Sequence, residues 1–225
     1  MKRLTQFMMR PIVKLGVELE RLNHRIGNAS LPDFANAPSR LMIQLPRRIR
    51  NPHRITLGDD VKIGPNSVLS ANTEYPGGWM RHPEGRHVSQ TFDSRIIIGD
   101  RVTATSALQL VALQEILIED DVMFAANVFV CDGLHSRRSA DEPYKFQGMN
   151  EIESVRIGRG SWIGQNVVLM PGVTIGELAI VGANSVVTRD VPARSIAVGN
   201  PARVIKRWNE RTRRWHIVDA YQELD

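Results

Sequence analysis

The 225 residues are 42% hydrophobic and 24% charged, with a formal net charge of +5 at pH 7. This composition suits a globular chain with one sizeable core and excludes a disulfide scaffold or a cysteine-based zinc site, because Cys131 is the sole cysteine. No run of about 18 uncharged apolar residues occurs, so no membrane-spanning helix is expected, while the basic excess suits an anionic ligand: nucleic acid, a phospholipid surface or a phosphorylated cofactor.

Residues 1–40 have loose helical spacing at Leu4, Phe7, Met8, Ile12, Leu15, Leu19, Leu22 and Ile26. They are expected to form an N-terminal helical extension. Two readings stay open: the helix packs on the domain that follows, or it lies on a membrane surface as a peripheral contact. Its apolar stretches are too short and too interrupted for a signal peptide, which predicts a cytoplasmic protein, with the inner-membrane surface as the alternative.

From residue 41 to 200 a six-residue repeat dominates. Leu57, Ile63 and Leu69 keep the period, then Ile98, Ala104 and Leu110, then Ile118, Phe124 and Val130. The last run is SVRIGR GSWIGQ NVVLMP GVTIGE LAIVGA NSVVTR, with Ile157, Ile163, Leu169, Ile175, Val181 and Val187 at one position and Val155, Ser161, Val167, Val173, Ala179 and Ser185 two residues earlier. Residues two apart point to the same side of a strand. Gly, Asn or Asp after each short strand allows a corner. Six residues make one flat face, and three faces make a coil of about 18 residues that buries its aliphatics on the coils above and below. So many Val, Ile and Gly residues at period six argue against helix.

The period fails twice. Position 75 should follow Leu69, yet the pattern resumes at Ile98; position 136 should follow Val130, yet it resumes at Ile157. These interruptions place long loops at 70–97 and 131–156, both rich in Pro, Gly and polar residues. Loops of this length in a compact domain tend to be functional. A two-residue slip near VALQE predicts only a small bulge. Residues 201–225, basic and then acidic, are expected to form a short helix or an extended tail close to a cofactor.

The run WIGQNVVLMPGVTIGELAIVGANSVVTRDVPARSIAVGNPARVIKRW resembles the hexapeptide-repeat acyltransferases, and within them the sugar and polysaccharide O-acetyltransferases related to maltose and galactoside acetyltransferases. The resemblance spans about Ile55 to Trp208, and the closing GNPARVIK is its most specific part. It implies a mainly β chain wound as a left-handed parallel β-helix, and a homotrimer with acetyl-CoA sites between subunits. The periodicity by itself gives neither the hand nor the trimer.

Transfer of an acetyl group from acetyl-CoA to a hydroxyl needs a general base and a hydrogen-bond donor for the developing oxyanion. Of six histidines, His135 alone follows a coil at the root of a long loop. The resemblance implies that it is the base. The related D-H-x-H-S arrangement reads here as Asp132, Gly133, Leu134, His135 and Ser136, with one histidine rather than two. Asp132 either orients the imidazole or caps the turn. Thr105 stands where galactoside-type relatives carry an asparagine. By resemblance the pantetheine arm passes Trp162, Gly164, Gln165, Gly182 and Ala183. Thr188, Arg189, Arg203 and Lys206 match further cofactor contacts, the basic ones suiting its phosphates. For the saccharide acceptor the candidates are Tyr75 and Trp79 in the first loop and Tyr144 and Gln147 in the second.

The acceptor expected from the resemblance is a sugar or a bacterial surface polysaccharide such as lipopolysaccharide, capsule or exopolysaccharide. Alternatives are an antibiotic hydroxyl or amino sugar, or a non-catalytic scaffold on the same coils. A carbonic anhydrase on this fold needs three zinc-binding histidines. Only His135 is placed on the coils for that, and the spacing of His82 and His87 falls inside the first loop, so no metal is expected. No aromatic-basic motif accompanies the positive charge, so neither is a nucleic-acid partner.

Overall fold

The computed structural model describes residues 14–19, 21–22, 25–76, 80, 82–85 and 88–218. The repeat winds around three parallel faces. Face 1 carries Met42–Ile43, Lys62–Ile63, Thr103–Ala104, Met123–Phe124, Trp162–Ile163, Ile180–Val181 and Ser195–Gly199. Face 2 carries Arg47–Arg50, Ser67–Ala71, Gln109–Ala112, Phe129–Cys131, Val168–Leu169 and Val186–Val187. Face 3 carries Ile55–Leu57, Arg95–Ile98, Glu115–Ile118, Val155–Ile157 and Thr174–Ile175. The chain visits the faces in the same cycle throughout, and each strand pairs with the strand one coil away, for example Leu110 with Leu69 and with Val130.

Every inward position of the repeat is buried, from Ile55 and Leu57 through Ala179 and Val181 to Ser185 and Val187. One continuous aliphatic column fills the coil. Each full burial contributes about 1.5–3 kcal/mol. The serines at inward positions are satisfied locally: Ser161 Oγ donates to Gly158 O at 2.7 Å, and Ser67 Oγ to Gly64 O at 2.8 Å. Between faces 1 and 2 the corner residue has positive φ, as at Asn66, Asn127, Asn166 and Asn184. Asparagine tolerates that region. It also builds a ladder here, Asn127 donating to Asn166 and Asn166 to Asn184, each at 2.9 Å.

The N-terminal end differs from a helix packed on the first coil. Residues 14–19, 21–22 and 25–29 are helical, yet Leu15, Leu19, Leu22 and Ile26 are all more than half exposed. Leu31, Phe34 and Leu41 pack against the core instead. Asn36 finishes the open edge of face 3, donating to Leu57 O at 2.7 Å and accepting from Leu57 N at 3.0 Å. The earlier apolar positions Leu4, Phe7, Met8 and Ile12 lie outside the described residues.

Of the helix and the extended tail expected for the C-terminal segment, the described residues form extended strands. Ala202–Asn209 runs antiparallel to Ser195–Gly199 and pairs with Arg214–Ile217 to form a hairpin on face 1. Val204 enters the core, and Asn209 makes the turn by accepting from Thr212 N at 2.9 Å. Cross-strand pairing with an existing sheet edge overrides the helical propensity of this charged stretch.

Candidate active site

Both interruptions leave the coil at one edge, between faces 2 and 3. The first joins Ser67–Ala71 to Arg95–Ile98, the second Phe129–Cys131 to Val155–Ile157. Just one coil lies between them, and its own passage of this edge is the two-residue slip at Leu113 and Gln114. Each interruption makes a short antiparallel ladder, Glu74–Tyr75 with Gln90–Thr91 and Leu134–His135 with Met149–Asn150. The two segments therefore meet. Val88 N donates to Phe146 O at 3.2 Å, and His82 packs edge-on against Phe146 with ring centroids 4.4 Å apart.

His135 is exposed at the root of the second segment. The Tyr75 ring meets its imidazole edge-to-face at 5.5 Å between centroids. Among the described residues no protein group hydrogen-bonds the imidazole. The Tyr75 hydroxyl donates to Lys145 O, and partial burial raises its pKa.

Asp132 does not orient this imidazole. It is fully buried, and its two carboxylate oxygens accept from Leu113 N at 2.6 Å and Gln114 N at 2.8 Å. It thus satisfies the slip in the coil below. Burial raises its pKa, against the lowering effect of those N–H groups. Gln147 is likewise committed: only 3% exposed, it accepts from Ser139 N at 2.9 Å and donates to Ser139 O and Glu142 O. It shapes the second segment and has no free amide for a sugar. Tyr144 is 53% exposed nearby. Trp79 and His87 lie outside the described residues.

The cofactor candidates divide between two edges. Gly164, Gln165, Gly182 and Ala183 lie at the edge between faces 1 and 2, with Trp162 exposed on face 1 beside them. Arg203 joins them, opposite Val198, and Lys206 pairs in register with Ile196 on the same face. Thr105 is on this edge too, its hydroxyl 3.4 Å from Phe124 O. Thr188 and Arg189 follow Val186–Val187 at the other edge, the one that carries His135. The width of face 2 separates the two groups. Arg189, Arg203 and Lys206 have no acidic partner among the described residues, which fits a phosphorylated ligand. The Gly164 site is explained by the coil itself, because a Cβ there would stand 2.7 Å from Ala183 N and 2.8 Å from Val181 O. Trp208 lines a cleft of about 280 Å³ with Leu178, Arg194, Glu210, Arg213 and Trp215 at the third edge. Among the described residues no group of three or more His, Cys, Asp or Glu side chains is placed to hold a metal.

The bacterial transferase hexapeptide (six repeats) family matches residues 154–189. The Escherichia coli (strain K12) protein named "Putative lipopolysaccharide biosynthesis O-acetyl transferase WbbJ" is 30% identical over 180 residues, covering 77% of this chain and 82% of its own. The chain belongs to the hexapeptide-repeat transferase family. Galactoside O-acetyltransferase of the same organism is 34% identical over 145 residues, 63% of this chain and 66% of that protein. Among solved structures, AntD, an N-acyltransferase from Bacillus cereus in complex with dTDP and 3-hydroxybutyryl-CoA, has the same fold, with a TM-score of 0.62 at 20% identity over 88% of this chain and 90% of that one. As a hexapeptide-repeat transferase with these relatives, the protein is an O-acetyltransferase.

Proposed function

We propose that this transferase moves the acetyl group of acetyl-CoA to a hydroxyl of a sugar, a bacterial surface polysaccharide or its precursor, with His135 as general base. The observation that carries this is an exposed imidazole, without a hydrogen bond from any described residue, at the root of the lobe formed by the two interruptions. The acceptor hydroxyl gives its proton to the imidazole as its oxygen attacks the thioester carbonyl carbon. The tetrahedral intermediate collapses with cleavage of the C–S bond, and the imidazolium returns the proton to the departing thiolate. Tyr75 and Tyr144 flank the acceptor side on this reading.

The working unit is a homotrimer of left-handed coils. The separation of Thr188, Arg189 and His135 from Trp162, Gln165, Ala183, Arg203 and Lys206 supports it, since each complete site then forms between the 2/3 edge of one copy and the 1/2 edge of the next. Thr105 of one copy would face His135 of another. The exposed Leu15, Leu19, Leu22 and Ile26 stripe is suited to a peripheral membrane contact.

Acetyl-CoA binding by calorimetry tests the cofactor half without an acceptor: micromolar affinity that weakens in Arg203→Ala supports it, and no binding up to millimolar by folded protein overturns it. Mixing tests the shared site. Equal amounts of His135→Ala and Arg203→Ala chains, assayed at an acetyl-CoA concentration too low for either alone to turn over, should together recover about a quarter of wild-type activity, because a quarter of randomly formed sites draw both intact halves. Recovery of nothing from well-mixed trimers would place both residues in one chain's site.

A further inference from the structure

We propose that the first interruption is a clamp on the imidazole of the second, with Tyr75 and Gln90 as positioning residues for His135. This rests on His135 being the base and adds what holds it. A general base acts only within hydrogen-bond reach of the proton it takes, and a 1 Å displacement can cost about 10²-fold in rate. A partner that fixes the ring is therefore expected. Asp132 is occupied elsewhere, and among the described residues no hydrogen bond holds the imidazole.

The geometry supplies another device. Tyr75 and Gln90 face each other across the first ladder, and His135 and Met149 face each other across the second. The Gln90 carboxamide accepts from Met149 N at 2.6 Å and donates to Met149 O at 3.0 Å. It thus presents one donor and one acceptor to the strand partner of His135, as a neighbouring strand would. Tyr75, opposite Gln90 in the first ladder, meets the His135 ring edge-to-face. Two contacts between the same two residue pairs fix the backbone of the strand partner and the ring of the base.

Gly148 keeps the approach open. Its φ is +85°, and a Cβ there would stand 2.7 Å from Gln90 Oε1 and 2.9 Å from Val88 Cγ1. The Tyr75 hydroxyl on Lys145 O closes the far side. Only glutamine meets the requirement at position 90. Glutamate would set a carboxylate against Met149 O and lose the donor, and asparagine is one methylene shorter.

The test is NMR of the His135 ring protons in the full chain, assigned by their loss in His135→Ala, together with kcat and the acetyl-CoA Kd. In the wild type these protons should carry the ring-current displacement of an aromatic edge contact. Tyr75→Leu should abolish it and Tyr75→Phe should keep it. Gln90→Glu should also shift or broaden the His135 signals although Tyr75 is intact, and should lower kcat about 10- to 100-fold with the acetyl-CoA Kd unchanged. Should Gln90→Glu not fold, Gln90→Met, similar in length and uncharged, removes the same two bonds. Unchanged His135 signals and unchanged kcat in a folded Gln90 variant overturn the clamp. Near-normal turnover in His135→Ala overturns the base assignment instead, and the ring signals then still report whether the clamp exists.

Discussion

The coils from Val155 to Val187 and the two segments that leave them are held in different ways. In the coils, each strand pairs with the next through backbone hydrogen bonds, and most inward side chains need only be aliphatic and of the right size, the corner asparagines and inward serines adding repeated ties of the same kind. Positions repeat, so stabilisation is spread over many equivalent contacts. In the segments, single polar side chains tie together backbone far apart in sequence: Asp132 to Leu113 and Gln114, Gln147 across its own loop, Gln90 to Met149. The coils are a redundant frame; the lobe beside His135 is not redundant. Substitutions there should have concentrated effects, on chemistry at His135 and on stability at the ties.

The sharpest separation is His135→Ala. Turnover should fall on the order of 10²–10⁴-fold, while the thermal midpoint stays within a degree or two, because the side chain is exposed and makes one ring contact. Steady-state kinetics beside a melting curve decides it; near-normal turnover removes His135 from the chemistry.

Asp132→Ala reverses the pattern. It leaves two N–H groups at a buried slip without acceptors, at about 1–3 kcal/mol each, so denaturant unfolding should show the largest loss of any single polar substitution in the lobe. Its pH dependence has a definite sign. The folded pKa lies above the unfolded one, so Asp132 contributes most to stability when protonated, and that contribution declines as pH rises from its unfolded pKa to its raised folded value. The stability difference between wild type and Asp132→Asn should shrink over that window. A difference that grows with pH there would mean the N–H groups outweigh burial.

Gly164→Ala probes the coil with a smaller expected effect. The added methyl meets backbone atoms of the next coil, and such overpacking costs about 1–3 kcal/mol. If the glycine serves coil stacking alone, folded variant protein binds acetyl-CoA normally. Weakened binding at full stability would return Gly164 to the cofactor groove.

The same contrast explains what could be read in advance. Period six located the inward residues from Ile55 to Val187, because each position is constrained by identical neighbours one coil away. It also located both interruptions by where the period stopped. Nothing periodic continues through them, so the roles of Gln90 and Gln147 had no local signal; their partners are set by which edge the segments share. Asp132 was legible only as a choice between orienting a histidine and capping a turn, and the neighbouring slip at Leu113 and Gln114 was the clue to the second. The C-terminal stretch was legible only as a choice between helix and extended tail, and the open edge of face 1, available for pairing, decides for extended strands.

The smallest effect expected is at Cys131, and it bears on the route of transfer. A cysteine four residues before the base could form an acyl-enzyme, with the acceptor attacking afterwards. Yet Cys131 is 5% exposed, and burial pushes its thiol up to about 11. Relative to an ordinary thiol near 9, about two pKa units leave roughly 100-fold less thiolate at neutral pH. The thiolate is the nucleophile, so the side chain is both unreachable and protonated. Iodoacetamide should label folded protein at pH 8 at least about 100-fold more slowly than a free thiol, and Cys131→Ala should turn over within about twofold of wild type. Rapid labelling that acetyl-CoA prevents, with loss of turnover in Cys131→Ala, would replace direct transfer by a covalent route and leave His135 to activate the thiol rather than the sugar.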